Sequence, residues 1–227
     1  MKKPLLLTAF ILPSFIAPHT LADEKSGFAI GGHGGTGGLG GQLTYGFNNY
    51  FAVRGGLQRY SYDLDEEYED IQYKGDVDLD SLSLIADWYV FGGGFHLSAG
   101  IFSNDNGASA VANPGTDGSY EIDGVEYQAS DVGTLAMGAG FDNTAPYVGL
   151  GWGAPANSNN TLTVTFDMGV LYQGSPSISL TRTGGTDDPA LAAQIDAALE
   201  NERQAIEDDA SDLEYWPIIQ LGLHYQF

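Results

Sequence analysis

The sequence predicts an all-β fold, an antiparallel up-and-down transmembrane β-barrel of about eight strands. Three observations carry this prediction. The chain begins with an export signal, several segments alternate apolar and polar residues, and the last segment keeps this alternation up to the final residue. Alternating segments of about ten residues, separated by turns, are typical of strands that cross a membrane within a closed barrel.

The N-terminal segment has the three parts of a secretory signal peptide. Two lysines supply the positive start, an apolar stretch covers residues 5–17, and small residues lead to a cleavage point after Ala22. The apolar stretch is shorter than the roughly 20 residues that a membrane-spanning helix needs. We therefore expect residues 1–22 to be removed, and the mature chain to run over residues 23–227.

Composition excludes several other classes of protein. After the signal peptide no apolar run is long enough to span a bilayer as a helix, and the chain has no cysteine for a disulfide or a lipid anchor. An exported chain of this kind can span a membrane only as a closed barrel, because lipid offers the backbone no hydrogen-bond partner. The formal charge of −22 repels phosphate groups, so we expect no nucleic-acid partner.

Eight segments have the alternation expected of strands. In the clearest, residues 161–173, six apolar residues recur in strict period two, which favours a strand over a helix. The others lie at residues 28–30, 39–47, 51–58, 82–90, 95–101, 147–152 and 219–227. An even number places both chain ends on one side of the membrane. If residues 132–141 also crossed the bilayer, the barrel would have ten strands.

The connections between these segments alternate between short and long. Short turns on the periplasmic side and long loops outside the cell are the usual asymmetry of such barrels. The long connections cover residues 63–80, 103–143 and 182–212, and a glycine-rich hairpin at residues 31–38 forms the remaining one on that side. We attribute its glycines to close backbone approach at a tight corner of the barrel.

The final strand carries the most specific pattern in the chain. Its apolar residues share one face up to the chain end, namely Ile219, Leu221, Leu223, Tyr225 and Phe227. This pattern resembles the last strand of outer-membrane barrel proteins, which ends in an aromatic residue preceded by apolar residues at alternate positions. The resemblance implies that these five residues form the signal read by the barrel assembly machinery of a Gram-negative cell.

The pattern of the whole mature chain is similar to that of the small eight-stranded barrels of the outer membrane protein A, outer membrane protein X and opacity-protein type. This resemblance implies a fold and a location in the outer membrane, with the long loops extracellular. It carries over no catalytic or binding residue. We expect a monomer without a cofactor, surrounded by outer-membrane lipid and lipopolysaccharide.

Inward positions of the predicted strands carry one arginine and several carboxylates. An eight-stranded barrel is just wide enough for its own side chains to fill. Arg54 and Asp87 lie at matched heights above their turns on neighbouring strands, and an isolated buried charge is costly, so we predict a salt bridge between them. Asp167 is the alternative partner for Arg54. The alternative role for such a pair is the gate of a small ion or solute channel.

His96 and Ser98 share one face of a strand. Their spacing resembles the histidine and serine of the outer-membrane lipid A deacylase barrel, which would imply a lipid-modifying enzyme. The pair nevertheless lies near a periplasmic turn and points inward, whereas lipid A lies in the outer leaflet. No acidic residue follows on the strand to complete a triad. We therefore predict a structural or surface-interaction role without catalysis.

Carboxylates are concentrated in the three long connections. Residues 63–80, 103–143 and 182–214 hold 26 of the 30 acidic residues. A solvated surface that resists aggregation accounts for them. The alternative is the binding of divalent cations, which could bridge to lipopolysaccharide phosphates. No calcium-loop spacing accompanies the carboxylates, so the metal ligands remain unknown.

Two of the long connections contain predicted secondary structure. Asp123-Gly124 between β-prone arms predicts a hairpin. Asp188 followed by Pro189 predicts a helix start, and apolar residues at helical spacing extend this helix over residues 189–208. We expect its apolar face to cover the barrel mouth, and the surface of a partner is the alternative.

Overall fold

A computed structural model describes residues 26–68, 71–114, 118–154 and 161–227. The predicted signal peptide, residues 1–22, lies outside them. The strands are β1 (Gly27–Gly35), β2 (Gly38–Gly46), β3 (Phe51–Tyr68), β4 (Ile71–Trp88), β5 (Phe95–Asn104), β6 (Gly107–Pro114), β7 (Ser119–Ile122), β8 (Val125–Gln128), β9 (Thr134–Gly140), β10 (Thr144–Trp152), β11 (Thr161–Tyr172), β12 (Ser177–Thr183) and β13 (Tyr215–Gln226). The helices are α1 (Ala129–Val132), α2 (Pro189–Asp209) and a 3-10 helix (Ala210–Glu214). None of the helices in these ranges is long and apolar enough to cross a membrane.

Eight antiparallel strands close into a barrel in the order β1–β2–β3–β4–β5–β10–β11–β13, and β13 pairs back onto β1. The seam is completed by two backbone hydrogen bonds between Phe28 and Phe227. The predicted eight-stranded antiparallel barrel is confirmed. The ten-strand alternative is wrong, because the segment proposed for the additional crossing forms β9, which lies outside the ring.

Large apolar side chains cover the outside of this barrel. Leu162 and Leu221 are 67% and 61% exposed, whereas the polar Asp167 and Gln220, also on β11 and β13, are buried inside. Burying polar residues and exposing leucines is the reverse of a water-soluble core and suits a wall that faces lipid. Exposed aromatic residues crowd one end of the band, including Trp88 and Trp152, as expected at a membrane interface.

The chain continues the barrel wall beyond one end, which we call the loop end; the opposite end is the turn end. There the distal halves of β3 and β4 pair with each other, and β6, β9 and β12 follow in order from β4. We call this five-stranded extension the wall.

The wall replaces much of the predicted loop structure. Of the predicted loop 63–80, residues 63–68 and 71–80 form strand, with Asp63 opposite Asp76 and Asp65 opposite Lys74. Acidic residues are poor strand formers, but here Asp63 and Asp76 lie on the same face of the sheet because they are paired across the two strands. The carboxylate of Asp78 accepts a hydrogen bond from Ser61 at 2.6 Å. The period-two pattern therefore extends further along the chain than composition suggested.

The loop end has a hydrophobic core of its own. Side chains from the β7–β8 hairpin, α1 and α2 form it: Tyr120, Ile122, Tyr127, Ala129, Val132, Ile195, Ala198 and Leu199. We call these elements and the wall the module. The hairpin turn is present as predicted, with positive φ at Asp123 and Gly124.

Helix α2 also forms as predicted, with Asp188 as its N-cap accepting from the backbone of Ala190 at 2.9 Å. Its apolar face packs on the module core, beside Leu180 of β12. The wall offers this apolar contact, which the assignment of the segment to loops did not anticipate. That the helix covers the barrel mouth stays a prediction.

Candidate functional site

Arg54 lies inside the barrel between two carboxylates. Its Nε lies 3.1 Å from Asp87 Oδ2 on adjacent β4, and its Nη2 lies 2.8 Å from Asp167 Oδ1 on β11. The three side chains are all more than nine-tenths buried. Because β3 and β11 are opposite members of the ring of eight, the Arg54–Asp167 pair spans the lumen. The structure thus brings together all three residues that the sequence nominated.

Strand alternation and small residues position this cluster. Arg54 points inward because its neighbours Val53 and Gly55 belong to the lipid-facing set of β3. Space for the long side chain comes from glycine on the facing strands. A Cβ atom on Gly151 would lie 2.6 Å from Asp167 Oδ1 and 2.5 Å from His96 Nε2. A larger residue there would therefore displace the carboxylate or the ring.

His96 and Ser98 complete the cluster. Ser98 Oγ donates to Asp87 Oδ1 at 2.6 Å and accepts from Arg54 Nη2 at 3.2 Å. His96 Nε2 lies 3.1 Å from Asp167 Oδ1, and its Nδ1 lies 3.3 Å from the carbonyl oxygen of Gly94. Both ring nitrogens therefore face acceptors. We call Arg54, Asp87, His96, Ser98 and Asp167 the lumen network.

The sequence identified His96 and Ser98 only as a possible catalytic pair. In the structure they bind different carboxylates, and no hydrogen bond joins the histidine to the serine hydroxyl among the described contacts. Their inward parity on β5, the strand beside β4, is the signal that could have assigned them to the network.

The lumen around the network is nearly full. The cavity beside Arg54 and His224 has a volume of about 20 Å³, room for about one water molecule. Towards the loop end, Gln220 donates to Gln58 at 2.7 Å. The lumen also holds an apolar cluster made of Ile85, Phe102, Ala145, Tyr147, Leu171 and Ile218. Side chains thus occupy the barrel interior from the turn end to the loop end.

Two further histidines point into the lumen from the closing seam. Neither ring nitrogen of His33, nor Nε2 of His224, has a hydrogen-bond partner among the described residues. Glycines in the β1–β2 hairpin make room for both rings. A Cβ on Gly31 would lie 1.9 Å from Cδ2 of His224, and one on Gly40 would lie 2.7 Å from Nε2 of His33. The sequence predicted a close approach of the backbone at this glycine-rich segment. In the structure, part of this close approach is between the glycine backbone and the two imidazole rings.

The residues of the predicted assembly signal lie together on the outer face of β13. Ile219, Leu221, Leu223, Tyr225 and Phe227 are all exposed on the barrel exterior. The rings of Tyr225 and Phe227 are 6.0 Å apart. They lie beside the seam with β1, so β13 is the strand that closes the ring.

The acidic segments show ion pairs rather than a metal centre. Within the described ranges no three histidine, aspartate or glutamate side chains are placed to hold a metal ion. On α2, Arg203 donates to Glu200 at 2.9 Å and to Glu207 at 2.6 Å. The hydrogen bonds from Arg203, and one from Gln204, lower the pKa of Glu200 to about 2.

A closed ring of eight strands, an apolar exterior and a side-chain-filled lumen define a small β-barrel protein of the outer membrane. Comparison of the sequence with family models and with curated proteins gives no match. Among solved structures, the fold is similar to CarO2 of Acinetobacter baumannii, with a TM-score of 0.58 and 24% identity over 88% of this chain and 98% of that one. It is also similar to CarO of Acinetobacter baumannii, with a TM-score of 0.55 and 21% identity over 88% and 97% of the two chains. These similarities concern the fold.

Proposed function

We propose that this protein is a closed, non-catalytic outer-membrane barrel that displays the module at the cell surface and acts through that surface. The observation that carries the proposal is the contrast between the two ends of the molecule. The lumen is bridged by Arg54 and Asp167, whereas the loop end is built as a folded unit with its own core. A chain that only anchored itself in the membrane would have no physical need for the second core.

The filled lumen supports a structural role over transport. An ion path needs a continuous polar, hydrated route, but the cavity at the network holds about one water molecule. Moving Arg54 aside would break two ion pairs at once and would leave buried charges unpaired, which is costly.

The hydrogen bonds that His96 and Ser98 make with carboxylates support a protein without catalysis. A nucleophilic serine needs a base within hydrogen-bond reach, but Ser98 donates to Asp87 instead. Both side chains are buried inside the lumen, away from the lipid that a lipid-modifying enzyme would attack.

The proposal also gives the barrel an orientation in the membrane and a set of neighbouring molecules. The loop end faces outward, the apolar band contacts outer-membrane lipid and lipopolysaccharide, and the barrel assembly machinery inserts the chain as a monomer. The acidic face of the wall carries Asp76 and Asp78 in exposed positions. Divalent cations could bind there and bridge to lipopolysaccharide phosphates.

Labelling of single cysteines on intact cells tests the display of the module, because the natural chain contains no cysteine. We expect a membrane-impermeant maleimide to label Thr181→Cys on β12 in intact cells. Gly93→Cys, in the β4–β5 turn where an added Cβ meets nothing within 4 Å, should react only after the outer membrane is permeabilised. The opposite pattern would contradict the proposed orientation.

A further inference from the structure

One edge of the wall lacks a neighbouring strand. The β1–β2 hairpin turns early, so β2 pairs with β3 only as far as Leu39 opposite Arg59. Beyond that point β3 continues to Tyr68, paired with β4 on one side alone. Among the described residues no backbone hydrogen bond reaches the other side of β3 above Arg59. We call this part, Tyr60–Tyr68, the open edge.

The open edge presents a different surface on each face. Tyr60 and Tyr62 follow the inward parity of Arg54, yet they are 46% and 51% exposed because no strand lies beside them. On the opposite face, Asp63 and Asp65 are exposed, and Asp65 forms an exposed ion pair with Lys74 of β4 at 3.7 Å. The edge thus combines unpaired backbone groups with aromatic side chains on one side and carboxylates on the other.

The second free edge of the wall, on β12, does not share these features. Of its inward residues, Ile178 is buried, and Leu180 is partly buried against the module core. Its one charged residue, Arg182, pairs with Asp196 at 2.6 Å. β12 carries no carboxylate. The two edges therefore provide an internal comparison.

We propose that the open edge binds an extended polypeptide segment as an added strand, and that this segment alternates cationic and apolar residues. This proposal rests on the proposed surface role of the module. A strand added to a sheet edge satisfies the unpaired backbone groups. Alternate side chains of that strand meet alternate faces of the sheet. Its apolar residues lie against Tyr60 and Tyr62, and its lysines or arginines lie opposite Asp63 and Asp65.

Charge supports the same choice of partner. The chain carries a formal charge of −22, so a cationic segment is drawn towards the module and an anionic one is repelled. The carboxylates of Asp76 and Asp78 lie on β4 opposite Asp63 and Ser61 and enlarge this negative face. The negative electrostatic field of the protein attracts the cationic segment to the wall. Backbone pairing at the open edge then fixes the direction and register of the bound segment.

A short synthetic peptide of alternating lysine and valine is the probe, with the full folded protein in uncharged detergent micelles. We expect saturable binding that empty micelles do not show and that weakens as salt rises. The same peptide N-methylated at alternate residues keeps its side chains but cannot pair along one backbone edge. It should bind at least about tenfold more weakly, since several backbone hydrogen bonds are lost. Equal binding by the two peptides would overturn strand addition.

Variants locate the site and separate specific from general attraction. Asp63→Asn with Asp65→Asn should weaken binding severalfold. Asp208→Asn with Asp209→Asn, an equal charge change at exposed positions on α2, should have little effect. A peptide bearing one cysteine should form a disulfide with Ser61→Cys and not with Thr181→Cys on the other edge. Equal effects of the two charge changes, or crosslinking at Thr181→Cys alone, would refute the proposal. Neither result would alter the labelling or conductance tests of the proposed function.

Discussion

Arg54 and Asp167 meet at 2.8 Å although they lie on opposite walls of the barrel, four strands apart in either direction around the ring. The Arg54 side chain of β3 therefore links β11 to β4, because Asp87 of β4 lies 3.1 Å from the same guanidinium. In a barrel of this width, one arginine can pair with carboxylates on two different strands and occupy the centre of the lumen.

Removal of Arg54 should destabilise the barrel more than removal of either carboxylate. Arg54→Ala leaves two buried carboxylates without their shared cation, and breaking a buried pair in this way costs on the order of 3–5 kcal/mol. We expect the lower end, because water can enter the lumen. Arg59→Ala is the matched control, since its pair with Asp80 is exposed and should contribute about 0–1 kcal/mol. Urea unfolding in lipid vesicles measures both.

Double-mutant cycles show whether the network residues interact. The cycle of Arg54→Ala with Asp87→Ala, and that of Arg54→Ala with Asp167→Ala, should each give a coupling energy above about 1 kcal/mol, because the residues are in direct contact. Strictly additive losses in both cycles would show that the ion pairs do not stabilise the fold.

Gly35 should not tolerate a side chain. A Cβ there would lie 1.9 Å from the backbone oxygen of Ile219, which cannot move without breaking the pairing of β1 with β13. We expect Gly35→Ala to cost about 1–3 kcal/mol, as for other overpacked sites. Gly32→Ala on the same strand, where the nearest atom would be 3.6 Å away, should be close to neutral. Similar unfolding midpoints for the two variants would contradict the close approach at the seam.

The module core should unfold locally while the barrel stays intact. Ile195 of α2 is fully buried in that core, and Ile→Ala substitutions in cores cost about 2–5 kcal/mol. Ile195→Ala should therefore speed hydrogen exchange in α2 and the β7–β8 hairpin, with unchanged protection in β11 and β13. Ala193→Ser on the exposed side of α2 is the control. Faster exchange throughout the barrel would show that the two cores are a single unit.

The C-terminal strand should be needed for assembly. Phe227 forms part of the exposed apolar row and closes the seam through its hydrogen bonds with Phe28. Deletion of Phe227, or Phe227→Asp, should leave export intact but reduce the folded, heat-modifiable form in the outer membrane. Gln226 carries the inward parity, so its replacement by asparagine is a control that leaves the row unchanged. Normal surface levels of both Phe227 variants would show that the exposed apolar row of β13 is not the assembly signal.

The pair of Glu200 and Arg203 predicts a pH dependence of α2. Hydrogen bonds from Arg203 and Gln204 hold the pKa of Glu200 at about 2, below the ordinary glutamate value of about 4.3. The pair therefore stabilises the helix fully above about pH 4.3, and this contribution is lost as the pH falls through about 2. Carbon-13 titration should show a higher Glu200 pKa in Arg203→Gln, shifted towards the ordinary value because only the Gln204 hydrogen bond is left. An unchanged titration curve in this variant would exclude the interaction.

Most of the barrel could be predicted from the sequence because its strands have one lipid-facing side. Lipid requires an apolar residue at every second position, and that requirement is local, as in β11 and β13. The same parity placed Arg54, Asp87 and Asp167 inside. Parity could not show that Arg54 binds both carboxylates, because the distance across the lumen depends on ring closure.

The wall could not be predicted in the same way. Above the membrane no lipid imposes apolar residues, so the acidic, tyrosine-containing halves of β3 and β4 read as loops. Their pairing is non-local, as in β12 with β9, and depends on cross-strand contacts such as that of Ser61 with Asp78. Helix α2 was predicted from local signals, namely its N-cap and apolar spacing. Its packing against the module core depends on the wall and could not be predicted from those local signals.

Single-channel recording in planar lipid bilayers shows whether the lumen network closes the barrel. We expect the natural protein to show no stable, defined openings, because the cavity beside Arg54 holds about one water molecule. Arg59→Ala should remain silent as well. Stable openings of one defined size in the natural protein would contradict the account, and their loss in Arg54→Ala would identify the network as part of a conducting path.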